Sequence, residues 1–213
     1  MDTFIDSHIG LFISAFISLF VVVDPFGTSA VFISLTKGLD KKQQTRIAGK
    51  AVTIAVVLLI AFCLAGHFIL DYMGVSLDAF RVAGGLLLFV TAFRMIMGFH
   101  DQDQIESGQS SYKDRSNIAV FPLAIPLLAG PGTMTAALMF STSAGDFAGS
   151  LVVLSVILLV QGTALISLLA ASRLSAFFGE TGNSIIARVM GVLLAAMAVQ
   201  FVADGIISLF GFK

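Results

Sequence analysis

The sequence predicts an all-α integral membrane protein: six transmembrane helices in two inverted-topology three-helix repeats, with discontinuous first and fourth helices. Three observations predict it. Apolar runs of about 20 residues, the length that crosses a bilayer core, fill most of the 213-residue chain. Two sequence patterns recur at an offset of 106–107 residues. All four prolines fall in the first and fourth runs.

Composition sets the class. Hydrophobic residues make up 57% of the chain and charged residues 12%, against roughly 45–50% and ~25% in soluble domains. Runs are expected at about 9–36, 51–70, 79–98, 118–140, 149–171 and 186–208. They do not alternate in polarity as barrel strands would, so helices are expected. The first residues carry Asp2 and Asp6 but no Lys or Arg, unlike the basic start of a signal peptide. Cys63 is the only cysteine and stands in an apolar run, so it reads as a packing residue.

Basic residues set the orientation. Lys37, Lys41, Lys42, Arg46 and Lys50 separate runs one and two. Arg94, Lys113, Arg115, Arg173 and Arg188 join them on the same side, leaving Arg81 and Lys213 on the other. The positive-inside rule puts the basic side in the cytoplasm and both termini outside.

The polar stretch 99–117 reads as a cytoplasmic linker between a first unit, 1–98, and a second, 118–213. Arg81-Val82-Ala83-Gly84-Gly85-Leu86-Leu87 matches Arg188-Val189-Met190-Gly191-Val192-Leu193-Leu194 at an offset of 107. Pro25 matches Pro131 at 106. A unit with three spans must insert its second copy upside down. Such repeats recur in secondary transporters, with the solute held near the midplane between the halves. The small residues Gly84, Gly85 and Gly191 allow close helix contacts, within or between subunits.

Pro25, Pro122, Pro126 and Pro131 remove backbone donors, and Gly27, Gly130 and Gly132 loosen the chain beside them. Non-helical backbone at membrane depth is tolerated only inside protein or along a cavity. Half-helices starting after Pro25 and Pro131 would present N–H groups and partial positive charge near the midplane. Thr28, Ser29, Thr133 and Thr135 fall in their first turns. Asp24 has two readings. It is a charged group that meets a solute ammonium, a cation or a proton, or it is a helix cap. A carboxyl at the helix centre costs roughly 2.5–3.5 kcal/mol. Gln161 and Gln200 read as interhelical hydrogen-bonding groups, and His67 and Asp204 as interfacial.

Asp24-Pro25-Phe26-Gly27, Phe80-Arg81-Val82-Ala83-Gly84-Gly85, Pro122-Leu123-Ala124-Ile125-Pro126-Leu127, Ala129-Gly130-Pro131-Gly132 and Arg188-Val189-Met190-Gly191 together resemble the MarC family (UPF0056 type) of bacterial and archaeal inner-membrane proteins. The resemblance covers nearly the whole chain. It implies six spans in two inverted repeats, with first and fourth helices discontinuous at Asp24 to Gly27 and Gly130 to Gly132. It also implies transport of small neutral amino acids such as glycine and alanine, the activity of characterised archaeal members. Many members carry Asn before the first proline; Asp24 adds a charge. The expected solute site is then Asp24, Pro25, Gly27, Thr28, Ser29, Gly130, Pro131, Gly132, Thr133 and Thr135. The expected partners are a small zwitterionic solute, with a coupled proton or sodium ion, and the lipid bilayer of a bacterial inner membrane. Neither a cofactor nor a metal nor a nucleic acid is expected. No catalytic constellation stands out at depth, so an enzyme is not expected. A channel, or a regulatory membrane protein without transport, is the alternative.

Overall fold

The computed structural model describes residues 2–98 and 118–211, with side chains at 8–98, 118–171, 182 and 184–211. The linker expected at 99–117 lies outside the described residues, with Lys113 and Arg115; Lys213 lies outside them too. Every regular element among the described residues is helical: α1 (Asp2–Val23), α2 (Pro25–Leu35), α3 (Lys41–Tyr72), α4 (Leu77–Met97), α5 (Ala119–Leu128), α6 (Pro131–Ser143), α7 (Phe147–Leu169) and α8 (Ala171–Phe210). Five stretches are long and apolar enough to cross a membrane, and six if the bent pair α5–α6 counts as one. The first of them, His8–Leu35, takes in both α1 and α2.

Hydropathy located the spans but not the helix ends. α3 begins ten residues before the apolar run at 51, because a capping box starts it: Asp40 accepts the Gln43 N–H at 2.7 Å and the Gln43 side chain accepts the Asp40 N–H at 3.3 Å. Ser76 caps α4 by accepting the Ala79 N–H at 3.1 Å, and Gly98 closes it with φ +77°. Residues 172–185, expected as a connector, are helical, so α8 runs for 40 residues. Polar residues are compatible with a helix wherever it leaves the lipid.

Two breaks interrupt the spans. At the first, Asp24 alone is non-helical. The second is a 52° bend between α5 and α6. It is wider than the single break expected at Pro131, because Phe121 and Ile125 also have extended backbone, at φ −129° and −126°. Each precedes a proline, whose ring disfavours helical geometry at that position. At an offset of 106 their neighbours Pro122 and Pro126 correspond to Phe16 and Phe20 of α1, whose rings stack 5.9 Å apart in a regular helix.

The broken helices lie between two pairs. α1 packs on α7 and α5 on α3; α2 packs on α7 and α6 on α3; α2 packs on α8 and α6 on α4. α4 and α8 form the most extensive contact and run antiparallel, with Gly205 against Val82, Gly85 against Val202 and the Ala198 carbonyl, and Gly191 against Ala92 and Met95. Close approach through small residues substitutes for the hydrophobic drive that lipid does not supply. Gly84, Gly85 and Gly191 thus serve contacts within the chain. At one end, Asp146 caps α7 by accepting the Gly149 N–H at 2.7 Å and meets His8 of α1 at 3.3 Å. The Gly149 N–H holds the Asp146 carboxyl below the usual carboxylate range; desolvation opposes it, and His8 adds to the lowering.

Candidate functional site

Pro25 has no N–H and disfavours helical geometry at Asp24. Asp24 adopts the left-handed region instead, φ 43° and ψ 72°, which Asp tolerates better than most residues. Its Oδ1 accepts the Gly27 N–H at 3.1 Å. In an unbroken helix that N–H would serve the Val23 carbonyl four residues back; here the Thr28 hydroxyl donates to Val23 at 3.0 Å. A Cβ at Gly27 would overlap the Asp24 carboxylate. Gly27 therefore makes room for the cap. Among the two readings of Asp24, capping is realised, and the residue is 5% exposed.

Ser29 turns toward α7. Its hydroxyl donates to the Pro25 carbonyl at 2.6 Å and lies 2.9 Å from the Ser167 hydroxyl, which reaches the same carbonyl at 3.0 Å. This buried triangle ties α2 to α7.

The second break is built differently. Gly130 precedes α6 without a side-chain cap, and a Cβ there would overlap the Pro126 carbonyl. Thr135 donates to the Pro131 carbonyl at 2.8 Å, as Ser29 does to Pro25, and fills the space left by Gly84. Gln161, fully buried, donates to the Leu128 carbonyl at 3.1 Å, the interhelical bond expected of it. Gln200 instead bonds Asp204 within α8 at 2.7 Å, which corrects the interhelical expectation: the pair stands i, i+4 on an exposed face.

A cavity of about 210 Å³ collects both breaks. Asp24 and Thr28 line it from the first; Gly130, Pro131, Gly132 and Thr133 line it from the second. Pro25, Gly27, Ser29 and Thr135, expected at the site, are not on its wall. They shape the breaks through the contacts above. The third side comes from α4: Leu88, Thr91, Arg94 and Met95. Hydropathy had placed Arg94 only as a basic residue at the end of a span. It stands in the last turn of α4, and the α6 N-terminus packs so closely that a Cβ on Gly132 would overlap Leu88. The one signal for this wall was the polar pair Thr91 and Arg94 in an otherwise apolar stretch.

The cavity therefore carries an acid, a base, three threonines and a half-helix N-terminus inside a helical membrane protein. The class is an integral multi-pass membrane protein with a largely apolar cavity at its helix breaks that holds a few charged and hydroxyl groups. The chain belongs to the MarC family: the model for MarC family integral membrane proteins matches residues 9–210. A UPF0056 membrane protein of Methanocaldococcus jannaschii is 40% identical over 92% of this chain and 95% of its own length. One of Aquifex aeolicus is 37% identical, over 92% of each chain. The UPF0056 membrane protein YvbG of Bacillus subtilis is 30% identical over 93% of this chain and 95% of its own. No solved structure matches the chain.

Proposed function

We propose that the chain is a secondary transporter of small zwitterionic solutes, of the size of glycine and alanine. One observation carries the proposal: Asp24 and Arg94 line the same small cavity as the uncapped N-terminus of α6. The solute carboxylate meets the first turn of α6 and Arg94; the ammonium meets Asp24. The α2 N-terminus is the poorer anion site, because Asp24 already accepts the Gly27 N–H. At about 210 Å³ the cavity is smaller than the roughly 300–1,000 Å³ of pockets for drug-sized ligands, which suits a solute of few heavy atoms.

Two inverted repeats, with discontinuous first and fourth helices, fit this activity. The motif offset of 106–107 recurs in structure-level features: Pro25 and Pro131 open α2 and α6, Asp40 and Asp146 cap α3 and α7, and Ser29 and Thr135 bond the carbonyl four residues back. The packing pairs exchange in the same way. Rocking of one repeat on the other would alternate access. We place the chain in the inner membrane with both termini outside, the basic residues and the 99–117 linker in the cytoplasm, coupling to a proton or sodium ion, and no chemical step on the solute.

The test is uptake of labelled glycine and alanine into proteoliposomes, with and without pH and sodium gradients. Accumulation above empty vesicles and against the solute gradient is the expected result. Equilibration without accumulation would mean a channel, and no uptake or competition by any amino acid would sink the proposal.

A further inference from the structure

α3 spans 32 residues, about 48 Å at 1.5 Å per residue, while the bilayer core is about 30 Å thick. The surplus lies at its start, where Lys41–Lys50 precedes the apolar run. Lys42, Arg46 and Lys50 follow one another at i, i+4 and i+8 and are all exposed. Continued along the helix, this ridge meets Val57, Leu64 and Phe68, which are 60%, 62% and 74% exposed. At 100° per residue these six side chains fall within about a quarter of the helix circumference. The three cations therefore stand on the lipid-facing side of α3, at the depth of the headgroups. Lys37 and Lys41, also exposed, flank them. The nearest acid in sequence, Asp40, has its carboxylate on the Gln43 N–H, and among the described residues none of these five cations makes an ion pair.

We infer that the Lys42–Arg46–Lys50 ridge is a binding site for the phosphate headgroup of anionic phospholipid. The apolar stripe below it receives the acyl chains. A zwitterionic headgroup offers the same acyl chains without net charge, so selectivity rests on the three cations, each contributing about fivefold near a charged surface. The inference does not depend on the transport proposal.

The test is native mass spectrometry of the full chain in detergent with equal amounts of phosphatidylglycerol and phosphatidylcholine of matched acyl chains. The wild-type chain should retain phosphatidylglycerol at least tenfold better. Combined Lys42→Gln, Arg46→Gln and Lys50→Gln should lower that preference at least tenfold; combined Lys42→Arg, Arg46→Lys and Lys50→Arg should keep it. Where the triple Gln variant does not fold, single Arg46→Gln should lower it about fivefold. Equal retention of both lipids by the wild-type chain, or an undiminished preference in the Gln variants, would overturn the inference.

Discussion

The Asp24 carboxylate lies over the backbone of Gly27, accepting its N–H at 3.1 Å in the space where any side chain at 27 would stand. One residue thus ends α1, starts α2 and lines the cavity between the breaks. Cap and cavity group are the same atoms, so substitutions there separate folding from function only if they treat shape and charge independently.

Asp24→Asn keeps the shape. Its side-chain carbonyl still accepts the Gly27 N–H, and Asn tolerates the left-handed region. Thermal unfolding in detergent should stay close to wild type, while glycine uptake falls at least tenfold. Asp24→Ala loses the cap, at about 1 kcal/mol, and with it the local hydrogen bond that helps Asp tolerate the left-handed region. It should unfold at clearly lower temperature. Unchanged uptake in Asp24→Asn would reduce Asp24 to a cap.

Gly27→Ala pushes a methyl into the carboxylate and should cost about 1–3 kcal/mol. In an Asp24→Gly background the obstacle is gone, and the same substitution should stabilise by up to about 1 kcal/mol through helix propensity. A double-mutant cycle on unfolding free energies measures the coupling. Additive effects would show that the two residues do not meet.

Arg94→Gln removes the base from the cavity wall. Loss of a charged hydrogen-bond donor is worth about 1.5–3 kcal/mol, so the KM for glycine should rise about tenfold or more. Arg94→Lys should recover part of the affinity. An unchanged KM would remove Arg94 from the site.

Asp146 provides a test by pH. Its folded pKa is lowered, chiefly by the Gly149 N–H, so the stability it contributes is fully present above the unfolded value, roughly 3.9. That contribution is lost as pH falls through the lower folded value. Asp146→Ala should melt below wild type at pH 7, and the two curves should converge as the medium is acidified below about pH 4. A constant gap across that range would show that the charge of Asp146 does not matter.

The sequence by itself determined that the chain is a helical membrane protein, where its apolar spans lie, and which residues disfavour regular helix within them. These follow from local causes: lipid admits only long apolar helices, proline lacks a donor, and a buried Asp needs a partner. Six residues of the cavity wall, Asp24, Thr28, Gly130, Pro131, Gly132 and Thr133, were legible for that reason. Tertiary structure alone decided which of the expected residues face one cavity. Ser29 and Thr135 read like Thr28 and Thr133 in sequence, yet they pack toward α7 and against Gly84 and are not on the wall, because direction around a helix depends on what packs against it. Arg94 read as a topology marker. It became a cavity residue only when α6 settled against α4, where Gly84 and Gly132 leave room for Thr135 and Leu88. Distance along the chain carries no information about that contact.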